Sequence, residues 1–242
     1  MNLLKRKAAA LAATAALVAL PAVAHAGVIV EYSLNGTDWF TVCTDGTTCQ
    51  GSASALGGAL TITIAGITQS TSPGTADIFT AATQIKYTGA GVANIVLRYA
   101  GDGFTAPTSG TLRSNLSGTG VNNTSSSNTV AFTSCAVTAN IGTNPGSPHA
   151  SDVPCPGGIT APTLSPAINI GNFSESSATS VASIGTPYML AQNLDVHIAA
   201  GSTLNFANST DLVAAPEPST IMLMGTGLLG LVGFVRRRNS QV

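Results

Sequence analysis

The chain has 242 residues, 8% charged and 5% aromatic, a length that accommodates one folded domain of about 150–200 residues plus targeting segments. So few charges exclude a coiled coil, a charged disordered tail and a basic nucleic-acid binder. Six of the nine basic residues sit at the two ends, so residues 27–215 hold three basic against nine acidic side chains, a net of −6.

Met1–Lys7 is a short basic leader, and Ala8–Leu20 is a thirteen-residue apolar run closed by Pro21. Ala24-His25-Ala26 then supplies a small-x-small cleavage pattern before Gly27. Together these define residues 1–26 as a secretory signal peptide, cleaved through Ala24 and Ala26. The run falls short of the about 20 apolar residues that a membrane anchor needs.

Residues 27–215 read as one exported β-rich domain. Val28–Leu34 is rich in β-formers, and Asn35-Gly36 is a hairpin-type turn leading into Asp38–Val42. Cys43 and Cys49 follow, enclosing a second turn signal at Asp45-Gly46. Leu60–Ile64 alternates apolar and hydroxyl residues, the period of a half-buried strand. Ile85–Tyr87, Ala93–Tyr99 and Thr129–Val137 are further strands, with Asp102-Gly103 read as a turn and Ser125–Ser127 as a polar loop. Gly142–Pro166 contains six prolines and reads as a long irregular loop. Asn193–Ile198 and Thr203–Ala207 look like a closing pair. Turn residues recur about every ten positions, no segment holds a helical period, and no repeat of constant length is present. The expected architecture is an all-β, sandwich-like domain.

Export places the four cysteines in an oxidising compartment. Four cysteines allow three pairings; the turn between Cys43 and Cys49 suits one disulfide, and Cys135–Cys155 then closes a longer loop. A metal centre would need closer Cys-x-x-Cys spacing or neighbouring histidines, so neither metal nor cofactor is expected. After signal removal the bases available for nucleophilic catalysis are His149 and His197. Asp195-x-His197 on a strand would point both side chains to one face, which suits an orienting carboxylate but is also ordinary for a solvent-facing polar pair. Glu31 and Glu175 stand in no context that suggests a glycosidase pair. Trp39 reads as the core tryptophan of the sandwich. Were Tyr32, Trp39, Phe40, Tyr87 and Tyr99 to share an exposed face instead, they would stack on a sugar.

The C-terminal end has three parts in succession: Pro216-Glu217-Pro218, an uncharged apolar stretch from Ser219 to Val235, and Arg236-Arg237-Arg238. As a helix the seventeen-residue stretch is about 26 Å long, the lower limit for crossing a bilayer core. The arginines hold that end on the cytoplasmic side. The two prolines keep the preceding segment extended and off any helix. This tail, residues 216–242, resembles the PEP-CTERM sorting signal of exported bacterial proteins. The resemblance implies recognition by an exosortase, a membrane-embedded protease or transpeptidase that removes the tail. It also implies a Gram-negative host that makes exopolysaccharide, with the mature protein at the cell surface or in the matrix.

The resulting expectation is a non-enzymatic surface or matrix protein. Its partners are the exosortase, the membrane through the C-terminal helix before processing, and an extracellular polysaccharide, with no nucleic acid. An ice- or crystal-surface binder is the alternative, although Thr61-x-Thr63 is the only Thr-x-Thr. An extracellular hydrolase using Asp195 and His197 is the third.

Overall fold

A computed structural model describes residues 27–45, 48–72, 74–121, 128–138, 158–166, 168, 171–215 and 226. Residues 1–26 with Ala24 and Ala26, residues 122–127 and 139–157 with Cys155, and Pro216–Pro218 and Arg236–Arg238 lie outside them.

The described chain forms strands β1 (Val28–Ser33), β2 (Phe40–Asp45), β3 (Thr48–Ala55), β4 (Leu60–Ser72), β5 (Thr75–Tyr87) and β6 (Val92–Phe104). They are followed by β7 (Gly110–Val121), β8 (Thr129–Val137), β9 (Ile159–Thr160), β10 (Gly171–Val181), β11 (Tyr188–Ala199) and β12 (Thr203–Val213). Two six-stranded sheets result. Sheet A has the order β2-β1-β6-β11-β8-β9 and sheet B the order β10-β7-β12-β5-β4-β3, with every pairing antiparallel. The domain is an all-β sandwich.

Alternation along the strands builds the core. Leu60, Ile62 and Ile64 of β4 point inward with Ile85 of β5 and Leu204 of β12, against Ile95 and Leu97 of β6 and Leu194 and Val196 of β11. Full burial of each such side chain contributes about 1.5–3 kcal/mol. Strand β1 is different, because all six of its residues are buried. Val28, Val30 and Tyr32 face the main core, whereas Ile29 joins Ala100, Cys135, Met189 and Ala191 in a second cluster on the outer side of sheet A. That two-sided burial fits the richness in β-formers of Val28–Leu34.

Polar contacts cross the core between the sheets. Gln192 Nε2 of β11 donates to Thr210 Oγ1 (3.0 Å) and to the Ile78 carbonyl (3.3 Å), while its Oε1 accepts from Asn208 Nδ2. Tyr99 and Thr83 hydroxyls lie 3.0 Å apart, and Ser114 meets Ser134. Burial pushes the Tyr99 phenol well above its ordinary range, against the opposing Thr83 hydrogen bond. Gln69 Nε2 of β4 donates to the Asp102 carbonyl of β6 at 2.6 Å. Apolar contact is non-directional, so these bonds help set one sheet's position over the other.

Several expectations need correction. Cys43 and Cys49 are disulfide-bonded, Cα–Cα 5.8 Å, but not within a hairpin: β2 is an edge of sheet A and β3 an edge of sheet B. The bridge therefore ties the two sheets together at one rim. The backbones approach closely there, and a Cβ on Gly51 would lie 2.6 Å from the Val42 carbonyl oxygen. Asn193–Ile198 and Thr203–Ala207 are not a pair either. They lie in β11 and β12, consecutive strands in opposite sheets, where β11 pairs with β6 and β8 and β12 with β5 and β7. Asp102 is not in a turn but in β6, and is buried. The Asn35-Gly36 signal does reverse the chain, through a longer connection than a two-residue hairpin. Gly36 adopts φ +75°, and Asn35 Oδ1 accepts from the amides of Thr37 (2.9 Å) and Asp38 (2.8 Å). At the opposite rim, the Ser165 amide donates to Glu175 Oε2 (2.8 Å) and Ser177 Oγ to the Pro162 carbonyl (3.0 Å). Both rims therefore carry links between the two sheets.

Candidate binding face

Cross-strand partners in an antiparallel sheet project to the same side, so register alone assembles the outer face of sheet A. One row runs Thr41, Glu31, Arg98, Asn193, Thr133 across β2, β1, β6, β11 and β8. The next holds Ser33, Val96, Asp195 and Ala131, and the one after it Asn94, His197 and Thr129. The row on the other side is the buried cluster of Ile29, Ala100, Ala191 and Cys135. A polar surface therefore borders an apolar one on a single sheet.

Arg98 is the centre of this face. Its Nε donates to Asn193 Oδ1 at 3.4 Å, and its guanidinium carbon lies 4.0 Å from the centroid of the Trp39 ring. A guanidinium stacked on indole is held flat, and the Arg98 Nη1 is buried. Glu31, 7% exposed, stands beside Arg98 in register. Trp39 is consequently not the core tryptophan: it precedes β2 and is half-buried beneath Arg98. Phe40 points the other way, stacks on Tyr32 with centroids 5.3 Å apart and remains 52% exposed. Tyr87 and Tyr99 are buried inside the sandwich, so the five aromatics do not share an exposed face.

Asp195 and His197 do come together, with Asp195 Oδ1 3.6 Å from His197 Nε2. Their side chains are 50% and 44% exposed on the flat strand surface. Glu175 is engaged at the rim with Ser165. Cys135 is disulfide-bonded and buried in the outer cluster of sheet A. No group of three or more His, Cys, Asp or Glu side chains able to hold a metal ion occurs among the described residues.

The outer face of sheet B has a different chemistry. A row of Ser52, Thr63, Gln84, Asn205, Thr119 and Asn172 spans all six strands. Gln84 Nε2 donates to Asn205 Oδ1 (2.8 Å) and Asn115 Nδ2 to Ser209 Oγ (3.1 Å). At one end of this face Ser70, Asp77, Asp211 and Arg113 stand in register. Burial raises the pKa of Asp77 above the ordinary Asp value, opposed by a hydrogen bond from Ser70. Burial also raises that of Asp211, opposed by Arg113 and reinforced by Asp77.

Sequence reasoning missed both the Arg98 row and the hydroxyl row. Their members lie far apart in the chain, and only strand register brings them together. The residues themselves gave a partial signal, since Arg98 is one of only three basic residues between positions 27 and 215.

No curated protein matches the chain in sequence. Among solved structures it is similar to TmCBM61 in complex with β-1,4-galactotriose, at 8% identity and TM-score 0.32, covering 68% of this chain and 88% of that one. It is also similar to the N-terminal cellulose-binding domain of Cellulomonas fimi β-1,4-glucanase C, at 16% identity and TM-score 0.29, covering 62% and 84%. A third is the bacteriophage CBA120 tailspike protein 4, at 11% identity and TM-score 0.29, covering 61% of this chain and 18% of that one. Superpositions this loose assign no residue of the present chain to a binding site. The tail is another matter, because residues 214–238 match the family model for the PEP-CTERM protein-sorting motif. They contain the Pro-Glu-Pro, the apolar stretch and the arginine triplet in the expected order, and the chain therefore carries a PEP-CTERM sorting signal.

Proposed function

We propose that the exported domain is a non-catalytic binding module for a neutral polysaccharide at the cell surface or in the extracellular matrix of a Gram-negative bacterium. The sorting signal implies export, attachment to the membrane before processing, and cleavage by an exosortase. The observation that carries the binding reading is the Arg98 row on sheet A. A guanidinium held flat on Trp39, an adjacent amide at Asn193 and the exposed carboxylate of Asp195 offer donors and acceptors suited to paired sugar hydroxyls. A net charge of −6 over residues 27–215 repels polyanions at low ionic strength, which favours a neutral polymer. Asp195 and His197 act here as hydrogen-bonding groups, and their exposure to water suits that role better than proton transfer in a desolvated site.

The test is retention of the processed protein on neutral exopolysaccharide from a producing host. Replacing Arg98 by Ala removes charge-assisted hydrogen bonds worth about 1.5–3 kcal/mol each, so binding should weaken at least about tenfold. Equal retention of parent and Arg98→Ala protein would remove this face from consideration.

The row across all six strands of sheet B supports a second reading, binding to an ordered surface such as ice. Its hydroxyl and amide groups repeat at the strand spacing of about 4.8 Å. Absence of thermal hysteresis in the processed protein would eliminate it.

A further inference from the structure

Gly27 is the first described residue and the one that signal-peptide cleavage after Ala26 would expose. Its nitrogen donates to Asp102 Oδ1 at 2.8 Å. The contact is clamped from several sides. The Asp102 amide donates to the Gly27 carbonyl at 3.2 Å, and Gln69 Nε2 from sheet B donates to the Asp102 carbonyl at 2.6 Å. Val28 pairs with Gly101 in the β1–β6 ladder, which continues the register to Gly27 and Asp102. The Asp102 side chain belongs to a residue only 6% exposed, and burying a carboxylate is costly unless charge and hydrogen bonds compensate it.

We propose that cleavage of the signal peptide creates a structural ion pair between the Gly27 α-ammonium and Asp102, so that export processing completes this corner of the sandwich. The inference rests on the cleavage site read from Ala24 and Ala26, and it is independent of the ligand. Hydrolysis by a membrane signal peptidase adds water across the Ala26–Gly27 bond. Ala26 departs as the carboxylate of the leader, and the Gly27 nitrogen becomes an amine that takes up a proton. A neutral amide donor is thereby replaced, at the same position, by a cation facing a buried carboxylate. Charge-assisted hydrogen bonds are roughly twice as strong as neutral ones. The mature chain is therefore more stable than one whose Gly27 nitrogen is acylated, and its α-amine is shielded from reagents.

The chain provides its own internal standard. Lysine occurs only at positions 5, 7 and 86, so the mature protein has two amines, Gly27 and the exposed Lys86. The protein is expressed with its own leader, recovered after export, and its N-terminus fixed by intact mass and N-terminal sequencing. It is then labelled with an amine-reactive ester near neutral pH, folded and in urea, for the parent and for Asp102→Asn. The expected result is a start at Gly27, with α-amine labelling at least about tenfold slower in the folded parent than in urea, normalised to Lys86. Asp102→Asn should abolish that protection. Because this variant risks poor folding, parent protein acetylated at Gly27 in urea and refolded gives a second readout: it should melt below the unacetylated chain. A start at another residue would overturn the cleavage reading and the proposal with it. A start at Gly27 with unprotected amine and unchanged melting would overturn the ion pair alone.

Discussion

Replacing Gln192 by leucine removes the amide at the middle of the inter-sheet contacts with little change in volume. Three hydrogen bonds are lost: from Gln192 Nε2 to Thr210 and to the Ile78 carbonyl, and from Asn208 Nδ2 to Gln192 Oε1. At about 1 kcal/mol net for each, the loss is about 3 kcal/mol. The stranded Asn208 amide adds about 1–3 kcal/mol of desolvation cost, and the buried leucine offsets a similar amount. The variant should therefore lose about 3 kcal/mol, or about 6–12 °C in Tm for a domain of this size. Pairing it with Asn208→Leu separates hydrogen bonding from packing. If the stranded amide is a large part of the cost, the double variant loses about 2 kcal/mol less than the sum of the singles. Urea unfolding of the processed protein at several concentrations yields each value. A single variant within about 0.5 kcal/mol of the parent, or strict additivity in the double, would refute the idea that these bonds hold the sheets in place.

Two further perturbations address the rim and the acidic row. Replacing Cys43 and Cys49 together by serine frees a loop with a sequence separation of 6, which the chain-entropy relation values at about 2 kcal/mol. Since the bridge joins the edges of the two sheets, hydrogen exchange should quicken in β2 and β3. Acceleration confined to β8 and β11 would contradict that assignment. For Asp77 and Asp211 the folded pKa values lie above the ordinary Asp value, so protonation favours the folded state. Their stabilising contribution is complete below the unfolded value of about 3.9 and is lost as pH rises through the raised folded values. Asp77→Asn relieves this, so the variant should melt above the parent near pH 7 and lose that advantage towards about pH 3.5. A variant that melts lower than the parent at neutral pH would show that the Asp77 carboxylate is net stabilising.

Strands with an apolar side against the core were readable from the chain. Thr129–Val137 coincides with β8, and the alternation at Leu60–Ile64 is the first part of β4. Strands β3, β7, β9 and β10 went unseen, and β9 lies within the span Gly142–Pro166 that reads as an irregular loop in the sequence. In β10 only Phe173 and Val181 are buried, and β3 offers mainly serine, alanine and glycine. Such edge or small-residue strands form because neighbouring strands supply hydrogen bonds and burial, which no local window reveals. The candidate site was less legible than the fold. The Asp195–His197 proximity follows from a two-residue spacing on one strand, whereas Arg98 with Trp39 depends on contacts across three strands.

The sequence by itself determined the sorting signal and the building material: a C-terminal PEP-CTERM motif, and a middle whose period-two apolar positions suit a sandwich. Those properties are local, since each is written in consecutive residues and needs no partner to be recognised. Tertiary structure decided what the material became. It placed β11 and β12 in opposite sheets, drew the Cys43–Cys49 bridge across a rim, moved Trp39 from core to surface and brought Gly27 against Asp102. These outcomes depend on register between strands distant in the chain. A shift of one residue turns every side chain to the other face, so burial over the whole sandwich selects the arrangement that composition and spacing leave open.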